Sequence, residues 1–328
     1  MRRRHFIAGI GAAALAGPLA ARAEQRGIPV IGLLGNASPS QWTARLAAFR
    51  DGLAEAGYVE GTNLSVEYRW ADGRNDRLQG LVQELVERRV NVIVVLGNTA
   101  SAMAAKEATS TIPIVFRVAG NPAELGLVAN LGRPGGNLTG ITTLGLEVGP
   151  KQLELMHEVV PATHVGALLI NPTNPLLSEP LSRTLPEAAR SLGLELHLVQ
   201  ASDDNDFEPA FQAARKSGAG WLVIGADAFF NTRNDELAAL ALRYGMPTIS
   251  PYQEFAVAGG LMSYGGSIAD GSRQAGVYTG RILKGEKPAD LPVLQAAKLE
   301  LVLNQNTARA LDIAFQPAFL ARADEVIE

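Results

Sequence analysis

The tetrapeptide Asn98-Thr99-Ala100-Ser101 is the sharpest candidate for a binding site in this sequence. It follows the apolar run VNVIVVLG, which is typical of a buried strand, and it opens a helix predicted from Thr99 to Ala108. The first N–H groups of a helix have no partner within the helix, so these groups and the Thr99 hydroxyl could bind a carboxylate. The alternative is that Asn98 or Thr99 only caps the helix. Because one residue can do both, we favour the binding role.

Asp227 is the second candidate. It follows the apolar run WLVIGA and is the only carboxylate at the end of a predicted strand in the second half of the chain. A ligand ammonium group in a desolvating cleft needs such a partner. The alternative is a capping role at the start of the following helix, which is predicted to end at Tyr244.

Aromatic side chains near predicted strand ends could stack on a flat ligand. They stand out because only 6% of the residues are aromatic, and they are Phe229, Phe230, Tyr252 and Tyr264. Core filling is the alternative, which we favour for at least one of the two phenylalanines. The complete set of predicted ligand-binding residues is Asn36, Ala37, Asn98, Thr99, Ser101, Asn121, Asn171, Asp227, Phe230, Tyr252 and Tyr264.

Catalytic chemistry lacks its usual residues in this sequence. The three histidines after residue 23 are His157, His164 and His197, and each lies in or beside a predicted element rather than at the end of a strand. No H-E-x-x-H motif and no G-x-S-x-G motif occurs, and the chain has no cysteine. Zinc-protease and serine-hydrolase chemistry need such groups. We therefore expect no catalytic residue, no metal and no cofactor.

The glycine-rich stretch from Asn121 to Thr142, NPAELGLVANLGRPGGNLTGIT, is not a phosphate cradle. A cradle has its glycines directly after a strand, where they open a helix. Here Pro134-Gly135-Gly136-Asn137 follows a predicted helix and precedes a predicted strand. This order predicts a tight turn in which at least one glycine adopts a positive φ.

Two series of alternating strands and helices follow one another along the chain. Apolar runs such as PVIGLLG predict strands buried on both faces, and helical spacing of apolar residues predicts the crossover helices between them. Strand, helix and strand in this order make a parallel sheet. The predicted fold is α/β, with two doubly wound parallel-sheet lobes joined by hinge crossings near Thr143 and Gly265.

The boundaries of these lobes follow from the two series. Lobe 1 is predicted to span 28–143 and about 267–292, and lobe 2 to span 144–266 and about 293–328. The run KLELVLNQNTARALDI near the end predicts a strand and a helix that could return to either lobe. A length of 328 residues also suggests two domains, because single cores rarely grow to this size. The net charge of −4 argues against a nucleic-acid partner, which would need clustered lysine and arginine.

Residues 1–23 predict an export signal. They have a basic start, an apolar run from Phe6 to Leu19 and the small-residue ending Ala21-Arg22-Ala23. The pair Arg3-Arg4 also resembles the twin-arginine pattern, so Sec and twin-arginine export both stay open. Since no cysteine is present to carry a lipid, we expect a periplasmic protein without a lipid anchor.

Longer motifs resemble those of the ABC-transporter substrate-binding proteins of the tryptophan/tyrosine-binding type, which have the type 1 periplasmic binding protein fold. The motifs are FRDGLAEAGYVEGTNLSVEYRWADG, IPIVFRVAGNPAELGLVANLGRPGGNLTGIT, GRILKGEKPADLPV and LVLNQNTARALDI. The resemblance covers almost all of the chain after the signal. It implies two α/β lobes, a ligand cleft between them and no catalysis. The family usually has Asp-Pro where this chain has Asn121-Pro122, so an amide replaces a carboxylate there.

The function implied by this resemblance is that of a periplasmic receptor for an ABC importer. Its partners would be a small organic ligand, either an amino acid or an aromatic or carboxylate compound, and the permease subunits at the membrane. We expect a monomer. A sensory module that uses the same cleft for a signalling receptor is the main alternative, and an exported α/β enzyme comes last.

Overall fold

The computed structural model describes residues 27–295 and 299–328. The predicted export signal, 1–23, lies outside these residues. The described chain forms two sheets with a hydrophobic core on each face of each sheet, and these make up two lobes. None of the described helices is long and apolar enough to cross a membrane.

The chain alternates between strands and helices along most of its length. The strands are β1 (Val30–Gly35), β2 (Ser65–Trp70), β3 (Val92–Leu96), β4 (Ile114–Val118), β5 (Leu138–Thr142), β6 (Val165–Ile170), β7 (Glu195–Gln200), β8 (Leu222–Ile224), β9 (Thr248–Ser250), β10 (Met262–Gly266), β11 (Leu294–Gln295), β12 (Leu299–Asn304) and β13 (Glu325–Ile327). The α-helices are α1 (Thr43–Glu55), α2 (Leu78–Glu87), α3 (Thr99–Ala108), α4 (Gly149–Val159), α5 (Pro175–Ser191), α6 (Phe207–Lys216), α7 (Ala228–Asn231), α8 (Asn234–Arg243), α9 (Gln253–Val257), α10 (Ile268–Leu283), α11 (Gln305–Ala310) and α12 (Pro317–Leu320).

Lobe 1 is built on a parallel sheet with the strand order β11-β5-β4-β3-β1-β2. The chain moves outward from β1 to β2 and then returns past β1 to β3. A crevice forms at the carboxyl ends of strands where the direction of winding reverses in this way. Asn36 and Ala37 follow β1 and Gly97 and Asn98 follow β3, so these residues lie at the crevice of lobe 1.

Lobe 2 repeats this design with the strand order β13-β12-β10-β9-β8-β6-β7. Winding reverses between β6 and β8, so Asn171 after β6 and Asp227 after β8 lie at the crevice of lobe 2. The paired strands are parallel except for β12, which runs antiparallel to β10. The strand predicted in KLELVLNQNTARALDI therefore belongs to lobe 2.

Helix α10 returns the chain to lobe 1, where it packs against α1 and against β3, β4 and β5. Two glycines allow the backbones of α1 and α10 to approach closely. A Cβ at Gly276 would collide with the carbonyl oxygen of Phe49, and a Cβ at Gly52 would collide with that of Arg273. The small size of glycine is what the packing of these two helices requires.

The chain passes between the sheets at three places. It leaves the first sheet after β5, returns between β10 and α10, and passes again between β11 and β12. Near the first passage, the Thr143 Oγ1 lies 3.4 Å from the Tyr252 hydroxyl of lobe 2. At Gly145 a Cβ would lie 2.6 Å from the same hydroxyl, so a larger residue there would displace it.

The helix predicted before Pro134 is not formed. Only turn hydrogen bonds occur there, from the Leu125 N–H to the Asn121 carbonyl and from the Leu127 N–H to the Pro122 carbonyl, and Gly126 between them has a φ of +71°. Helix α5 begins at Pro175, and Pro180 lies inside it. A proline in the first turn costs no hydrogen bond, so Pro175 is compatible with the start of the helix. Gly135 and Gly136 both have a positive φ, which confirms the predicted turn.

Candidate ligand-binding cleft

The crevices of the two lobes line one cleft. Its outer chamber, of ≈170 Å³, is lined by Asn36 and Ala37 of lobe 1 and by Asn171 and Phe229 of lobe 2, among others. Its inner chamber, of ≈10 Å³, is lined mainly by Gly97, Asn98, Thr99, Arg117, Ala119, Asn174, Leu177, Asp227 and Tyr252. Asn98, Asn174 and Asp227 line both chambers. A solute in this cleft would contact both lobes.

A cavity of larger volume, ≈640 Å³, lies at the other end of lobe 1. Pro29, Asn91 and Pro113 line it, and these residues precede β1, β3 and β4. It therefore lies at the amino ends of the strands, away from the crevice where open α/β sheets bind ligands. We consider the interlobe cleft the better candidate in spite of its smaller volume.

Asp227 is the acidic group of the inner chamber. Its Oδ1 accepts hydrogen bonds from the Phe229 N–H at 2.8 Å and from Asn171 Nδ2 at 3.2 Å, and its Oδ2 accepts one from Asn174 Nδ2 at 2.7 Å. A carboxylate has about four acceptor positions, so one on Oδ2 stays available. Burial raises the pKa of Asp227, and the three hydrogen bonds offset part of this rise. No cation pairs with Asp227 within the described residues.

Asp227 and Asn98 both have the capping role that was the alternative to ligand binding. Asp227 is the N-cap of α7, and Asn98 is the N-cap of α3. The Asn98 Oδ1 accepts hydrogen bonds from the Ala100 N–H at 2.7 Å and the Ser101 N–H at 3.3 Å. Two of the helix N–H groups that were expected to bind a carboxylate are therefore already used. The buried Thr99 hydroxyl, in contrast, has no hydrogen-bond partner among the described residues.

Two buried arginines lie on the lobe 1 side of the cleft. Arg117, near the end of β4, lines the inner chamber, and Arg45 of α1, which like Arg117 lies near Gly97, is 5.5 Å from the ring of Trp42. Two effects lower the pKa of Arg117 to about 10: burial, which is the larger, and repulsion from Arg45. Burial also lowers the pKa of Arg45, while attraction to Glu254 of lobe 2 opposes this change. With a pKa of about 10, the Arg117 guanidinium stays charged at neutral pH.

The outer chamber has an aromatic wall and a paired arginine. Phe229 lines this chamber and stacks on the core residue Phe207, with ring centroids 5.2 Å apart. The Arg233 guanidinium lies 5.2 Å from the centre of the Phe229 ring and donates a hydrogen bond of 2.8 Å to Asp204. Because Asp204 already neutralises Arg233, this arginine is less available to a ligand than Arg117.

Several predicted residues do not line either chamber. Phe230 is 2% exposed and packs in the core of lobe 2, whereas its neighbour Phe229 lines the outer chamber. Tyr264 packs against the core on the other face of that sheet. Ser101 is fully buried behind Asn98. Asn121 caps the turn after β4 through hydrogen bonds to Ala123 and Glu124.

The family of the protein follows from a comparison of its sequence with family models. Residues 38–327 match the model of the ABC transporter substrate-binding proteins. The chain belongs to this family. It is a family of binding proteins, and within the described residues no group of histidine, cysteine or acidic side chains could hold a metal ion.

This binding protein is similar in sequence or structure to the following three proteins. The tyrosine-binding protein of Clostridioides difficile (strain R20291) is 25% identical over 265 residues, which cover 81% of this chain and 75% of that protein. The crystal structure of a conserved domain protein from Vibrio cholerae is 26% identical, with a TM-score of 0.84 over 92% of this chain and 100% of that one. An ABC domain from Streptococcus pneumonia, crystallised in complex with L-Trp, is 22% identical, with a TM-score of 0.81 over the same shares. The two lobes have the type 1 periplasmic binding protein fold.

Arg117 and Asn174 are among the lining side chains of this binding protein that the predicted set lacks, and the set contains Phe230 instead of Phe229, the phenylalanine that lines the outer chamber. Arg117 had a usable signal, because it is the only charged residue in the apolar strand run IPIVFRV. A charge in a strand buried on both faces needs a partner or a function. Asn174 had no comparable signal, since its contact with Asp227 depends on the approach of two loops 53 residues apart.

Proposed function

We propose that this binding protein captures a small organic solute, an amino acid or an aromatic carboxylate, between its two lobes. The observation that supports this proposal most strongly is the buried and unpaired carboxylate of Asp227. Its carboxylate is buried at the carboxyl end of β8, faces both chambers and has no cation partner among the described residues. A buried charge is costly unless it is paired, so a ligand ammonium group would supply the missing partner.

The shape and lining of the cleft support the same ligand class. The inner chamber has room for about one water-sized group, so it admits the polar end of a solute rather than its body. The outer chamber is larger and has the ring of Phe229 on its wall, which suits an aromatic or apolar side chain. The relative that binds tyrosine and the structure that contains L-Trp also support amino acids as the first ligands to test.

The site of action in this proposal is the periplasm, where the loaded protein would deliver its solute to the permease subunits of an ABC importer. Membership of the substrate-binding family supports this role. Cells that lack the protein should lose high-affinity uptake of the bound solute, and fractionation should recover the protein with periplasmic markers. Normal uptake in such cells would argue against a transport role.

The ligand class is tested by thermal unfolding of refolded, ligand-stripped protein. The panel contains L-tyrosine, L-tryptophan, L-phenylalanine, L-leucine and 4-hydroxybenzoate, with myo-inositol as an uncharged control. A ligand at 100 times its Kd adds about 2.7 kcal/mol to the free energy of unfolding, which raises the melting temperature measurably. A shift with at least one acid and none with myo-inositol is expected. Shifts with none of the acids would overturn the proposal.

A further inference from the structure

The guanidinium group of Arg117 is a buried charge without a partner in the described part of the chain. Arg117 is 2% exposed, no hydrogen bond or ion pair to its guanidinium group occurs within the described residues, and its Nε is fully enclosed. It lines the inner chamber together with Thr99 and Asp227. A cation in such a place is costly unless an anion accompanies it.

The charges around Arg117 do not supply that anion. The charged groups that act on Arg117 are Arg45, on α1, and Glu254, on α9. Repulsion from Arg45 exceeds the attraction from Glu254. No ion pair joins Arg117 to Glu254 among the described residues, so the charge of Arg117 is left under-compensated.

Gly97 helps to hold the Arg117 guanidinium at the chamber. Gly97 has a φ of +106°, and a Cβ at this position would collide with the Arg117 guanidinium. Because Gly97, between β3 and α3, has no side chain, the Arg117 guanidinium can lie beside the start of α3. The unpartnered Thr99 hydroxyl lies on the same wall and can donate to the same anion.

Positive and negative groups consequently face one small chamber from opposite lobes. Arg117 and Thr99 belong to lobe 1, while Asp227 and its partner Asn174 belong to lobe 2. We propose that Arg117 binds the carboxylate of the solute at the inner chamber while Asp227, which also faces the outer chamber, binds its ammonium group, so that the two chambers together select the zwitterionic head of an α-amino acid. This inference rests on the proposed function and makes its ligand class narrower.

The test compares an amino acid with its primary amide, which keeps the ammonium group and lacks the carboxylate. The probe pair is the tightest-binding amino acid of L-tyrosine, L-tryptophan, L-phenylalanine and L-leucine, together with its amide, measured by calorimetric titration. Loss of a buried charge partner typically weakens binding by roughly 30-fold or more, so the wild-type protein should prefer the acid by at least that factor. Arg117→Met should remove this preference, and Arg117→Lys, which keeps the charge, should retain part of it.

Arg69→Met is the matched control, because Arg69 is a partly buried arginine of lobe 1 that is already paired with Glu84 and lines neither chamber. It should leave the ratio of acid to amide affinity unchanged. Melting curves of the ligand-free variants separate binding from structure. Replacement of an unpaired buried charge by methionine should not lower the melting temperature, whereas a structural role for Arg117 would lower it.

Each outcome bears on a particular claim. Equal affinity of the wild type for acid and amide, or an acid preference that survives in Arg117→Met, would overturn the inference and leave the proposed function intact. Binding of 4-hydroxybenzoate without any amino acid would also overturn it, because that acid has no ammonium group. Failure of all the acids to bind would overturn the proposed function, and the inference with it.

Discussion

Replacement of Asp227 by asparagine separates the binding role of this residue from its capping role. An asparagine Oδ1 can still accept from the Phe229 N–H and from Asn171, but its Nδ2 would face the Asn174 Nδ2, a second donor. One hydrogen bond is therefore lost and one buried donor is left unpaired, which costs about 1–3 kcal/mol of folding free energy. Removal of the desolvated charge offsets part of this cost.

The effect of Asp227→Asn on binding should be larger than its effect on folding. Loss of the charge partner of a ligand ammonium group typically costs 2–5 kcal/mol, or roughly a 30- to 5,000-fold loss of affinity. Calorimetric titration with the tightest-binding amino acid measures the affinity, and melting curves measure the stability. Asp203→Asn is the matched control. The Asp203 Oδ1 accepts a capping hydrogen bond of 2.8 Å from the Asn205 N–H in the same lobe, and Asp203 lines neither chamber.

The pH dependence of stability gives an independent check on Asp227. Because burial raises its folded-state pKa above 3.8, the folded protein binds this proton more tightly than the unfolded chain. The contribution of Asp227 to stability therefore falls as pH rises from 3.8 through the folded-state pKa. The stability of the wild type relative to Asp227→Asn should fall in the same range. A relative stability that rises with pH, or an unchanged affinity in Asp227→Asn, would refute this reasoning.

Three further predictions concern the cleft, the turn and the packing of the helices. Thr99→Val should weaken binding of the same amino acid and spare the melting temperature, because the hydroxyl is buried, unpartnered and at the inner chamber; normal binding would contradict its role. Val at Gly136, at a φ of +65°, should lower the melting temperature and leave ligand preference unchanged, and a variant that folds normally but loses ligand would invert this assignment. Gly276→Ala should cost about 1–3 kcal/mol in denaturant unfolding, because its Cβ meets the Phe49 carbonyl, and an unchanged midpoint would show that α1 and α10 can separate freely.

The sequence predicted the order of elements well because most of the strands are short apolar runs between amphipathic helices. Runs such as VIVVL are buried on both faces of a parallel sheet, and their composition alone indicates this. The missed boundaries depend on longer-range packing. The turns after Pro122 place Leu127 and Val128 in the core of lobe 1 without a helix, although their apolar spacing suits one.

The candidate site was predictable only in part. Asn36, Asn98, Asn171 and Asp227 could be named because each follows a strand, and the carboxyl ends of parallel strands meet at one edge. The choice between Phe229 and Phe230 could not be made in this way. It depends on how a four-residue helix, α7, orients adjacent side chains toward the core or the cleft.

A crystal structure of the complex with the tightest-binding amino acid of the panel tests most directly whether a solute binds between the lobes with its carboxylate at the inner chamber. We predict a solute ammonium group within hydrogen-bond distance of Asp227 Oδ2, and a carboxylate against Arg117 and Thr99 on the opposite lobe. A solute that contacts one lobe only, or that lies in the cavity beside Pro29 and Asn91, would contradict the account.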